Sequence, residues 1–99
     1  MRVWAKVITD HRMQRDVVQE FASARPSDIA GWAKVFPELC KPLDLAVPVI
    51  LEKNVRELSK FNRTVFKPGD FLESVDFDSF EVEIFPEKKK DARLETIYG

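Results

Sequence analysis

The chain has 99 residues, 44% of them hydrophobic and 33% charged, and a formal net charge of −1. That composition describes one globular domain with its own core and excludes an intrinsically disordered chain. A single cysteine excludes an internal disulfide and a thiolate metal cluster, and three glycines leave no Gly-rich phosphate loop.

The first element is a strand over residues 2–9. Val3, Ala5 and Val7 fall on one face, and Trp4 and Ile8 on the other with Lys6 between them. Apolar groups on both faces predict a central strand. The next stretch has two readings. As a strand over 13–21, a turn at Thr9–Arg12 sets Ile8 beside Met13 and Trp4 beside Val17. As a helix capped by Asp10, it gathers Met13, Val17, Val18 and Phe21 in one stripe. The hairpin is the preferred reading, although its turn lacks Gly or Asn.

A helix is predicted over 27–41 with Ser27 as its N-cap. Ile29, Trp32, Ala33, Phe36, Leu39, Cys40 and Leu43 recur on one helical face. Pro37 either kinks that helix or begins a new one, and Pro42 ends it. A second helix spans 48–61, with Pro48 in its first turn, Leu51, Val55, Leu58 and Phe61 inward, and Asn62 as its cap. A short strand follows at 64–66. Lys67-Pro68-Gly69-Asp70 then reads as a type II turn. Residues 75–85 alternate apolar and acidic, with a slip of one residue at Asp78-Ser79 that predicts a bulge or tight turn. Residues 88–99 form a charged tail, expected to fray. The whole predicts a single α+β domain over 1–87: an antiparallel sheet of about four strands with two helices on one face.

Charge is unevenly placed. Residues 50–69 sum to +3 and residues 70–87 to −7. Asp76, Asp78, Glu81 and Glu83 point outward in the alternation and form an acidic face. Asp76 and Asp78 resemble the first ligands of a calcium loop, with Glu87 at its end. But Phe80 and Glu81 stand where a ligand and a glycine are required, and Pro86 precedes the last ligand. A solvated face is the better reading, and no metal or cofactor is expected. Lys53, Arg56, Lys60, Arg63 and Lys67 recur three and four residues apart. Such a stripe suits an acidic protein or a phosphate backbone, though Glu52 and Glu57 dilute it. His11 has no second histidine to share a metal, and Cys40 lies on an apolar stripe, where a buried thiol is inert. Trp4 and Trp32 read as core.

No leader is expected, because Arg2, Lys6 and Asp10 break the only early apolar stretch. The longest apolar run, residues 45–51, is far shorter than the ~20 residues that span a bilayer. The leading expectation is a small cytoplasmic protein-binding module, engaging a protein partner or a second copy as a homodimer, with no membrane role. The alternative is a nucleic-acid-associated protein using the basic stripe. A carboxylate or metal-dependent enzyme using Asp76 and Asp78 stands third.

Overall fold

The computed structural model describes residues 1–86. Strands β1 (Arg2–Thr9), β2 (Arg12–Glu20), β3 (Arg63–Phe66) and β4 (Ser79–Ile84) form an antiparallel sheet in the order β2-β1-β4-β3. Helices α1 (Ile29–Cys40) and α2 (Glu52–Phe61) pack on one face of it. The α+β architecture is therefore as the alternation and the helical stripe predict. Glu87 and the tail over 88–99 lie outside the described residues.

The core is built where the two periodicities meet. Val3, Ala5 and Val7 of β1 meet Phe80, Val82 and Ile84 of β4 and Phe66 of β3, all buried. From above come Trp32, Phe36, Leu39 and Cys40 of α1, and Val55 and Leu58 of α2. Phe36 bridges the layers, with its ring edge-on to Trp32 at 5.9 Å and to Phe66 at 5.5 Å. Full burial of such side chains stabilises by about 1.5–3 kcal/mol each. Gly31 serves close packing here: a Cβ at that position would stand 2.7 Å from the Cβ of Pro26.

Several expectations need correction. Trp4 is half-buried on the sheet's outer face and not in the core. It pairs with Val18 rather than Val17, because the ladder shifts between Val7↔Arg15 and Ile8↔Met13 and leaves Gln14 as a bulge. The bulge turns Val17 onto the core face opposite Ala5. The hairpin turn is a two-residue one with both central residues left-handed, Asp10 at φ 53° and His11 at φ 63°. Those signs match a type I′ turn. Asp10 tolerates this region better than most residues, and its N–H donates to Asp78 Oδ2 at 2.7 Å.

Asp28, not Ser27, caps α1, its Oδ1 accepting from the Gly31 N–H at 2.8 Å. The helix runs unbroken through Pro37 to Cys40. Ala33 is exposed, and Val35 takes a buried place beside Phe36. Residues 48–51 lie outside the helix, with Leu51 extended, and α2 starts only at Glu52, because Asn54 supplies the cap: its Oδ1 accepts from the Leu51 N–H at 2.9 Å. Leu51 and Phe61 are exposed, at the two ends of that helix. Asn62 does close it in the left-handed region, at φ 61°. Residues 67–70 form a 3-10 turn, with Gly69 outside the left-handed region that a type II turn requires there. β4 begins at Ser79, so residues 75–78 belong to the preceding loop.

Candidate functional site

Three surfaces collect the charged and apolar groups singled out in the sequence. The first is the outer sheet face, where β1, β3 and β4 turn alternate side chains away from the helices. The acidic alternation of β4 does not stand alone there. Glu81 and Glu83 flank Lys6 of β1, whose Nζ lies 3.7 Å and 3.1 Å from them, and Arg63 of β3 reaches Glu81 at 3.0 Å. This ladder crosses three strands. Lys6 Nζ also sits 4.1 Å from the Trp4 ring centroid, a cation–π distance. Trp4 stacks on Phe85 with centroids 6.0 Å apart, and its Nε1 donates to Asp16 Oδ2 at 2.8 Å.

That face ends at β2, which has only β1 as a strand neighbour among the described residues. The direction of its backbone groups follows from one pair. Met1 N donates to Phe21 O at 2.8 Å, and Phe21 N to Met1 O at 2.7 Å. Alternation from Phe21 points the N–H and C=O of Gln19, Val17 and Arg15 at β1. It points those of Glu20, Val18 and Asp16 out of the sheet. Met13 and Val18, on the same outer face, are 51% and 50% exposed. On the core side, the Arg15 guanidinium donates to Leu43 O and Gln19 Nε2 to Glu38 O, which fastens β2 to the end of α1.

The second surface is an open cleft of about 540 Å³ between the bulge and the loop before β4. Asp44, Glu73, Ser74 and Asp76 line it with Arg15. It thus brings Asp76 together with two other carboxylates. Among the described residues none of Glu73, Ser74 and Asp76 is hydrogen-bonded to another side chain. Nor do three metal-capable side chains come within reach of one ion. Asp78 is spent on the Asp10 N–H and stands apart from Glu81 and Glu83.

The third surface is α2. Lys53, Arg56 and Lys60 share its exposed face, opposite the buried Val55 and Leu58. The stripe stops at Asn62, where the backbone reverses. Arg63 joins the outer sheet face, and Lys67 lies exposed in the turn after β3. Behind the stripe, buried Asn54 donates to Thr64 Oγ1 at 2.9 Å, and that hydroxyl donates to Glu57 Oε1 at 2.6 Å. The network joins α2 to β3, and its Glu57 end opens on a concavity lined by Lys53, Phe61 and Arg63.

His11 is exposed in the hairpin turn, and Cys40 is buried, with its thiol pushed up to about 12 by burial. The sequence did not single out Asp16 and Glu20, and it placed Val18 only in the alternative helical stripe. Their alternation is visible, but their standing at an edge depends on strand order. It passed over Lys6 likewise, whose role needs the β1–β4 register. Among the described residues no helix is long and apolar enough to cross a membrane. No protein-family model matches the chain, and no curated protein or solved structure is found to match it.

Proposed function

We propose that this chain is a small protein-binding module that meets its partner on the uncovered side of the sheet, at β2. One observation carries the reading: Met13 and Val18 stand half exposed on a sheet face that has no helix over it among the described residues, beside outward backbone groups. Exposed apolar side chains next to unpaired strand groups are the chemistry of partner docking. A photo-reactive residue placed at Val18 is expected to give protein adducts in cell extract, and the same residue at Lys34 on α1 few or none. Equal adducts at both positions would refute the reading. Nuclease-sensitive adducts at Lys53 instead would assign the site to the basic face of α2 and to nucleic acid.

A second reading has one observation behind it, the cleft that gathers Asp44, Glu73 and Asp76. Carboxylates in one concavity suit acid–base work on a cationic or hydrated substrate. A nucleophile and its base need hydrogen-bond reach of each other, which places this reading second. Calorimetric titration with magnesium or calcium tests it: micromolar binding abolished by Asp76→Asn would move it to first place.

A further inference from the structure

We infer that β2 accepts an extended peptide segment of alternating basic and aliphatic residues as a fifth, antiparallel strand. The inference rests on the protein-binding reading and names the partner class. The open half of β2 is short and defined. Gln14 bulges at one end, which twists and terminates regular pairing. The reciprocal Met1–Phe21 pair closes the other end. Between them, Asp16, Val18 and Glu20 present outward N–H and C=O groups. Among the described residues nothing else bonds to those groups.

In an antiparallel pair, directly opposed residues share a face. Residues opposite Asp16, Val18 and Glu20 therefore join the outer face. Opposite charges across a pair are favourable and like charges unfavourable. The incoming strand thus wants a cation, an aliphatic and a cation at alternate positions. The two acids remain available. Asp16 gives one oxygen to Trp4 Nε1 and keeps the other, and Glu20 lies 3.5 Å from Arg2 with both side chains more than half exposed. The basic side chain of the open half, Arg15, is turned away to Leu43 O, and Arg12 lies beyond the bulge. It does not contest the incoming cation.

A second copy of this chain fits less well. A two-fold pairing centred on Val18 sets Asp16 against Glu20 twice. One centred on Asp16 sets acid against acid at its middle. One centred on Val17 sets Asp16 against Val18 and gains no ion pair. The partner is accordingly a different, basic segment.

The test uses the full chain and two end-blocked peptides, Thr-Arg-Thr-Val-Thr-Arg-Thr and Thr-Glu-Thr-Val-Thr-Glu-Thr, followed by amide-resolved NMR. The basic peptide is expected to shift the Asp16, Val18 and Glu20 amides saturably and to slow their exchange. It should bind about tenfold tighter than the acidic one, since two favourable cross-strand pairs replace two unfavourable ones. Val18→Pro removes the central outward N–H but no bond to β1, a placement proline tolerates at an edge, so binding should be lost. Should that variant fail to fold, Glu20→Gln decides alone by narrowing the preference to about threefold, because one pair of two is neutralised. Equal affinity for the peptides, shifts away from β2, edge amides protected in the free monomer, or a β2-paired dimer would each overturn the inference. Adducts at Val18 without peptide preference would end strand addition and leave the protein-binding reading standing. Absence of both would end both.

Discussion

The two edges of the sheet are built in opposite ways. β3 has four residues, follows α2 through a left-handed cap, and is bonded to that helix through Asn54 and Thr64. Pro68 stands two residues beyond its end. β2 has nine residues and a free outer side among the described residues. Short strands and prolines are the usual protection of an edge. Only a bulge and scattered charges protect β2. The difference teaches that this fold keeps one edge strand short and tied to a helix, and leaves the other long and loosely covered. The tied edge should therefore carry stability, and the long one should carry little.

The sharpest way to break that comparison is a pair of truncations. Phe66→Ala on β3 empties a fully buried site against Phe36 and Phe80 and should cost about 3–5 kcal/mol. Val18→Ala on β2 should cost less than about 0.5 kcal/mol, as at other exposed positions. Denaturant unfolding of both variants reads the contrast, and comparable losses would dissolve it.

The floor under β2 offers a second test, by pH. Cys40 closes α1 near the carbonyls that hold Arg15 and Gln19, and burial raises its thiol from 9.0 to about 12. The folded state therefore holds this proton more tightly than the unfolded chain. Its stabilisation is full below pH 9, falls by about 1.4 kcal/mol per pH unit above that, and is gone past pH 12. A Cys40→Ala variant should lack this alkaline slope in unfolding measurements, and an identical slope would refute the assignment.

Asn54→Ala tests the bond between α2 and β3. It removes the cap on Leu51 and leaves the Thr64 hydroxyl without its donor, for an expected loss of about 1–3 kcal/mol. Thermal unfolding measures it, and a loss under about 0.5 kcal/mol would mean the network is idle. The smallest effect belongs to the ion ladder. Lys6→Met should cost no more than about 1 kcal/mol at low salt, and less as salt screens the wild-type pairs. A salt-independent loss would point instead to Lys6 packing on Trp4.

Much of this was legible in residue order. The alternation of Val3, Ala5 and Val7 marks β1 to its ends, because period two with buried small and branched residues has one physical solution. The stripe from Trp32 to Cys40 marks α1 for the same reason. What was hidden depends on backbone signs and pairing partners. Nothing about Asp10 and His11 announces two left-handed residues, since the usual glycine is absent. The start of α2 was misplaced by four residues, because Pro48 suits an extended segment as well as a first turn. The five cations do not continue as one helical stripe, because a left-handed Asn62 ends α2 and Arg63 turns to Glu81, while Lys53 and Arg63 still line one concavity. The acidic face dissolved because its neutralising partners come from β1 and β3, far away in sequence.

The extra residue at Gln14 makes β2 a strand with two reading frames. Before it, odd-numbered Met13 looks outward with Ile8; after it, odd-numbered Val17 looks inward with Ala5. Deleting that single residue would leave every later pair in place. Pairing it regularly opposite Val7 would transpose the inner and outer alphabets of the whole open half, sending Asp16 and Glu20 toward the core and Val17 into water. The address that β2 displays is written by a residue that takes no part in it.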